Sequence, residues 1–408
     1  MVPVIIHRVR WVAPVTAPLI DNGAVAVQGS RILAVGPAPD LIRQFPSGRV
    51  VDHGDGVILP GLVNCHGHLE FSALKGRIPP QQCLGDWLVA AMAGFAALPP
   101  QDVNSGIDHA ITELTATGTV LVGEVSNTGV SLPLLEARSL EFHYFHECLG
   151  FHLTWPGPLE DDFPFFSGPQ AEPGHVAAAA HAPYSVSPAL FRRVAAWNRT
   201  HGRRGAVHLA ESREELEFLD TGGGFLRDLL THLGRWQGDF VPPGCSPVQY
   251  LAQLGFWEPN TLAVHGVWLD RADRELLARR QVWVILCPRS NLHTGAGFPD
   301  LPALARSGVP LALGTDSLAS NNDLNLFGEM LALHERYPDI PGEALLALGT
   351  LHGAKALGRA ADFGSLEPGK NPGLVFVPLW PNADVWPDLL HHGAAGCIQR
   401  LAEIPEEF

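Results

Sequence analysis

Cysteine is scarce in this chain and none of it is closely paired. The 408 residues contain six cysteines, at 65, 83, 148, 245, 287 and 397, with no Cys-x-x-Cys pair among them. That spacing excludes a disulfide framework and a zinc ribbon, so scattered reduced thiols are expected. Basic residues are also few: Lys+Arg number 27 against 42 Asp+Glu, a formal net charge of −15. No Lys/Arg cluster is long enough to displace counterions from a phosphate backbone, which excludes a nucleic-acid partner. No apolar run reaches the ~18 residues that a membrane-spanning helix needs. The first residues, MVPVIIHRVRWVAP, show no basic leader followed by a sustained apolar stretch, so a cytoplasmic protein is expected. Disorder is excluded as the main state by what is abundant, since 46% of the residues are hydrophobic.

The apolar residues are arranged in two textures. Residues 4–58 read as short strands punctuated by Gly, Pro and Asn22-Gly23, the last a hairpin-turn signal. The same texture returns in FGSLEPGKNPGLVFVP near the other end. A small β-sandwich built from both chain ends accounts for this; two unrelated hairpins are the alternative. Between them, apolar runs at 57–64, 120–125, 141–148, 176–182, 206–209, 262–265, 282–287 and 310–314 alternate with helix-like segments such as 188–200 and 271–280. Eight such units within ~260 residues predict an α/β fold, a distorted (β/α)8 TIM barrel. The expected boundaries are 1–58 and 362–408 for the sandwich and 59–361 for the barrel. Residues 211–260 are long for one unit; Gly222-Gly223-Gly224 and VPPGCSP mark loops there, a candidate lid.

Chemistry-bearing residues gather where these runs end. His66 and His68 follow the first run, and residues i and i+2 of a strand point to the same side. His208 ends the fifth run, His265 the sixth, and Asp316 follows the eighth. In a barrel these C-terminal strand ends converge on one mouth. Imidazoles with a carboxylate there suit Zn²⁺ or Fe²⁺. Taken singly, His265 reads equally well as a packed histidine and Asp316 as a turn or helix-cap residue.

The ordered set ILPGLVNCHGHLE, HAPYSVSP, HLAES, VHGVWLD, CPRSNLHTG, LGTDSLASNNDLNLFGEM and GSLEPGKNPGLVFV resembles the amidohydrolase superfamily. More narrowly it resembles the cytosine, guanine and adenosyl-nucleoside deaminase branch. The resemblance implies metal ligation by His66, His68, His208 and Asp316, a proton shuttle at Glu211, and a hydrogen bond between His265 and the attacking water. Dinuclear members of the superfamily bridge two metals with a carboxylated barrel lysine. This chain has only Lys75, Lys355 and Lys370, none on a barrel run, so one divalent ion is expected, Zn²⁺ ahead of Fe²⁺.

Hydrolytic deamination needs a nucleophile at neutral pH, and a bound Zn²⁺-type ion lowers the pKa of its water towards ~7. It also needs a proton for the ring nitrogen beside the attacked carbon, which a carboxylic acid can supply. Glu211 stands three residues after His208, close to the site without having to ligate; the competing role is a first-turn helix acid in AESREELEF. An acid at this place favours an amino leaving group over a halide. For substrate contacts, His181 ends the fourth run and the resemblance implies contact with a ribose or base. Trp87 could stack on a purine or sit in the core. Arg289, Ser290 and Asn291 follow the seventh run, where a guanidinium could clamp a carboxylate or form a structural ion pair. Asn321 and Asn322 are expected to shape the loop after Asp316.

Within the branch, HGHLEFS and GTDSLASNNDLNLFGEM are most similar to the aminodeoxyfutalosine deaminases of menaquinone biosynthesis. The implied partner is an aminated purine nucleoside, with neither nucleic acid nor membrane, and a homodimer as the assembly to test. Deamination of adenosylhomocysteine, methylthioadenosine or guanine, triazine hydrolysis, and a non-catalytic metal-containing binder are the alternatives.

Overall fold

The computed structural model describes residues 2–401. The chain forms two compact units, one of Met1–Asn64, Thr112–Leu121 and Asn325–Phe408, the other of Cys65–Ile111 and Val122–Leu324.

The first unit holds a seven-stranded mixed sheet drawn from both chain ends. Its order is Gln399–Leu401, Leu374–Pro378, Gly56–Pro60, Val4–Val12, Ile20–Gln28 and Arg31–Pro37, with Arg49–Asp52 also paired to Val4–Val12. Alternation explains the sheet: Ile5 and Val9 pack with Val25, Val27, Ile58 and Phe376, whereas Ile6 packs with Ala24, Ala26 and Leu41. The Asn22-Gly23 signal does not mark a hairpin turn. Both residues lie inside the strand Ile20–Gln28, where Gly23 pairs with Val9 and Asp21 with Trp11. Asn22 takes φ 46°, and a Cβ on Gly23 would stand 2.7 Å from Val12 Cγ2, so the pair serves close strand packing instead.

Residues 57–64 also differ from expectation, for they are two strands. Gly56–Pro60 pairs antiparallel with Leu374–Pro378, and Leu62–Gly67 opens a different sheet. Gly61 separates them because a Cβ there would fall 2.3 Å from Val120 Cγ1 and 2.7 Å from the Pro372 carbonyl oxygen.

That second sheet is a nearly closed parallel barrel. Its eight strands are, in order, Leu62–Gly67, Thr119–Ser126, Glu141–Cys148, Val176–Ala180, Ala206–Leu209, Leu262–His265, Trp283–Leu286 and Leu311–Leu313. The ring is completed by the N–H groups of Thr315 and Asp316, which donate to the His66 carbonyl at 3.2 and 3.0 Å. Every residue of Val176–Ala180, VAAAA, is buried, as a strand covered on both faces requires. Local signals set the helices between strands. Ser187 caps Pro188–His201 by accepting from the Leu190 N–H, and Gly202 ends it at φ 63°. Asp270 and Asp273 form a capping box for Arg271–Arg280. Residues 211–260 carry three short helices, Arg213–Thr221, Gly224–His232 and Pro247–Gln253, with Gly222 and Gly224 at positive φ in the join between the first two. Among the described residues, no helix is long and apolar enough to cross a membrane.

Candidate functional site

The barrel's strand ends bring His66, His68, His208, His265 and Asp316 together. His208 Nε2 stands 3.2 Å from His68 Nε2 and 3.3 Å from His66 Nε2. Asp316 Oδ1 lies 3.7 Å from His66 Nε2 and 4.0 Å from His68 Nε2. Nitrogens bound tetrahedrally at ~2.0–2.1 Å from one ion would be about 3.3 Å apart, so the imidazole spacing fits a shared cation. All five groups are buried. Burial is also the main reason that His66, His68, His208 and His265 are held below the ordinary imidazole pKa, His68 at about 3 and His265 at about 4. Buried and neutral, they keep the lone pairs that ligation needs.

Asp316 is fixed on both oxygens. Ser290 Oγ donates to Oδ2 at 2.6 Å, Ser320 Oγ to the same oxygen at 3.2 Å, and the Ser317 N–H to Oδ1 at 2.8 Å. Burial would raise its pKa, but His68, His265 and the Ser290 hydrogen bond outweigh it and hold the carboxyl below the usual range. His265 Nδ1 meets Asn291 Oδ1 at 2.8 Å, which makes Nδ1 the donor and leaves a lone pair on Nε2.

The backbone is strained at the same place. Among the described residues, seven non-glycine positions have positive φ, and three of them, Ala210, His265 and Asp316, lie at barrel strand ends around this cluster. Each costs of the order of 1–3 kcal/mol and persists only where surrounding structure enforces it, as functional sites do.

Glu211 is buried with its Oε1 3.6 Å from His265 Nε2. Burial, followed by the charges of Asp316, Glu215 and Glu214, pushes its pKa well above the carboxylate range, which favours the protonated acid. The helix-start role is filled by others. Ser212 Oγ accepts from the Glu215 N–H, while the Glu215 carboxylate accepts from the N–H groups of Ala210 and Glu211, each at 3.0 Å.

The residues expected to meet substrate fall into two groups. His181 stands at the site, its ring centroid 5.0 Å from that of His208 and its Nδ1 2.6 Å from Ser185 Oγ. The other four have protein partners. Ser290 and Asn291 hold Asp316 and His265, Arg289 pairs with Asp323 at 2.9 Å, and Trp87 Nε1 donates to the Ala319 carbonyl at 3.2 Å beside a cluster of Leu74, Ile78 and Phe71. Asn321 Nδ2 donates to the Thr315 carbonyl, shaping the loop after Asp316.

Sequence reasoning missed three buried glutamates, Glu70, Glu124 and Glu147. Glu124 accepts from the Leu69 N–H at 3.2 and 3.1 Å on its two oxygens, and Glu147 Oε1 lies 3.3 Å from His208 Nδ1. The signal was there: acids inside the apolar runs LVGEVS and FHECLG are costly to bury without dedicated partners. His181 is held well below the ordinary imidazole pKa by burial, then by His208, His68 and His265, and last by the charge of Arg235, which is exposed on the 211–260 segment.

Residues 57–389 match the model of the amidohydrolase family. A 5-methylthioadenosine/S-adenosylhomocysteine deaminase of Syntrophobacter fumaroxidans is 31% identical over 374 residues, 88% of this chain and 80% of that protein. An aminodeoxyfutalosine deaminase of Nitratiruptor sp. is 29% identical over 376 residues, 88% of each chain. Among solved structures, an adenosine deaminase of Xanthomonas campestris with bound zinc superimposes with a TM-score of 0.75 at 29% identity, covering 98% of this chain and 89% of the other.

Proposed function

The chain belongs to the amidohydrolase family of metal-dependent enzymes, and we propose that it is a mononuclear hydrolytic deaminase of a 6-aminopurine nucleoside. The observation that carries this reading is the union of two features at one barrel mouth: imidazoles gathered with Asp316 as a cation site needs, and a separate buried carboxyl, Glu211, whose pKa is pushed up while that of Asp316 is held down. His66, His68, His208 and Asp316 are the proposed ligands of one divalent ion, Zn²⁺ first and Fe²⁺ second. When bound, such an ion acidifies a water and so supplies the nucleophile at neutral pH.

The chain's own groups divide the remaining work. Asp316, held ionised, takes the proton that the attacking water loses. His265 offers its Nε2 lone pair to orient that water. Glu211 gives its proton to the ring nitrogen beside the amino-bearing carbon and takes one back from the added hydroxyl as the oxo group forms, while Asp316 passes the water's proton to the departing amine. Water and amine become the oxo product and ammonia, with the acid restored. Sharing the work between an ionised and a neutral carboxyl follows from their environments, since His68 and His265 face Asp316 while acidic neighbours surround Glu211.

Aminodeoxyfutalosine is the substrate we favour, supported by the relative of that name that is alike over 88% of both chains and by the exposed Arg235 near His181 as a cation for a distal carboxylate. That substrate would place the enzyme in menaquinone biosynthesis, in the cytoplasm. Methylthioadenosine or adenosylhomocysteine is the second reading, supported by the 31% identical relative and by the ion pair that engages Arg289 with Asp323. The test is ammonia release from a panel of adenine nucleosides that vary only in the 5′ substituent. Turnover of none of them, with divalent metal present, would overturn the deaminase reading.

A further inference from the structure

A chain of polar side chains, with Glu70 and Glu147 buried and Asn127 half-buried, joins the loop after His68 to the far side of His208. His208 turns Nε2 towards His66 and His68, and Nδ1 the other way. There the His181 carbonyl lies 2.9 Å from Nδ1 and accepts its proton, and Glu147 Oε1 stands 3.3 Å from the same nitrogen. Oε1 makes no hydrogen bond among the described residues. The other oxygen, Oε2, accepts from Asn127 Nδ2 at 2.5 Å. The Asn127 N–H in turn donates to Glu70 Oε1 at 2.8 Å, and Glu70 Oε2 accepts from the hydroxyls of Ser126 at 3.0 Å and Thr128 at 2.5 Å. Glu70 stands two residues beyond His68 and is fully buried, and Glu147 is 3% exposed.

Two acids buried this way cost stability unless their contacts return something. Glu147 is the informative one, because its second oxygen has no donor of its own and faces an imidazole N–H that already has an acceptor. A carboxyl oxygen held beside Nδ1–H adds to the His181 carbonyl in fixing that tautomer, and so keeps the lone pair on Nε2 for an ion. We infer that Glu147 is a positioning residue for His208, and that the Glu70–Asn127–Glu147 chain sets the spacing of His68 and His208 before an ion arrives. This rests on the reading of those two histidines as metal ligands.

The test is metal affinity, measured without substrate. Protein stripped of metal is titrated with Zn²⁺ against a chromophoric chelator, and the cobalt(II)-substituted form is examined by its visible spectrum. Glu147→Gln retains an acceptor for Asn127 but turns an N–H towards His208 Nδ1–H. Its dissociation constant should rise about 10- to 100-fold and its cobalt bands should shift, while the melting temperature of the metal-free protein stays close to wild type. Asn127→Ala, remote from the ion, should weaken affinity in the same direction by a smaller factor. It keeps the proposal falsifiable if Glu147→Gln fails to fold. Wild-type affinity and an unshifted cobalt spectrum in either variant would overturn the positioning role alone. A wild-type protein that binds no divalent ion would overturn the ligand reading, and this inference with it.

Discussion

Glu211→Gln tests the division of labour between the two carboxyls. Gln keeps the volume and a carbonyl oxygen, but has no transferable proton. In the structure Glu211 contacts His265 Nε2 at 3.6 Å and stands outside the His66, His68, His208 cluster, so metal content should be unchanged. General-acid contributions are of the order of 10²–10⁴ in rate. The burial of Glu211 and the acids around it raise its pKa and so favour the protonated form that a general acid needs. The variant should therefore lose at least ~10²-fold in kcat, about 2.7 kcal/mol of transition-state stabilisation. The shape of the pH profile is a second readout. A working acid must be protonated, so wild-type activity should fall as pH rises through the elevated Glu211 pKa, and that alkaline limb should vanish in the variant. The assay is single-turnover ammonia release from pH 6 to 10 beside metal analysis of the same samples. Turnover within a few-fold of wild type, with the alkaline limb intact, would refute the proton-transfer role. Loss of metal together with activity would refute its separation from the ligand set.

Metal analysis of the wild type should return about one tightly held divalent ion per chain, and His66→Ala or Asp316→Ala should lose ion and turnover together; two ions, both needed for activity, would exclude the mononuclear site. Arg289→Met is expected to lower kcat/KM for a 5′-carboxylate nucleoside and its neutral amide alike, because its guanidinium is committed to Asp323, whereas Arg235→Gln should spare the amide and weaken the acid; steady-state kinetics on the four enzyme–substrate pairs decide between them. Gly61→Ala should destabilise the fold by about 1–3 kcal/mol through overpacking against Val120 and the Pro372 carbonyl, read as a lower thermal midpoint. His7 is held down to about 4 by burial and then by His53, so between pH 4 and 6.5 the unfolded chain binds a proton that the folded one refuses. Stability should thus rise with pH across that window, by at most ~1.4 kcal/mol per pH unit for one group, and His7→Phe should flatten the dependence of the melting temperature.

What the sequence discloses and what it conceals follow one physical division. His66, His68, His208, His265 and Asp316 could be found because a barrel delivers strand ends to one place, so a strand assignment is already a position in space. The helices 188–200 and 271–280 could be bounded because Ser187, Gly202 and Asp270 act on backbone groups only a few residues away. The partners of the substrate candidates answer to no such rule. Ser290 meets Asp316 across 26 residues, Asn291 meets His265 across 26, and Arg289 meets Asp323 across 34, each by side-chain reach alone. Nothing in the pattern CPRSNLHTG says whether its polar groups turn towards a ligand or towards the residues that hold the ion. The Asn22-Gly23 pair failed for a related reason, since a dipeptide able to reverse a chain can equally relax it for Val12, and the neighbouring strand decides which. The buried glutamates show how the concealed part can be reached. An acid within an apolar run states an energetic debt without naming the creditor. For Glu124 the answer is the N–H of Leu69, next to His68, and for Glu147 it is Asn127 and His208. Both settle around proposed metal ligands, so an acid that looks misplaced in a barrel strand points to the surroundings of the site.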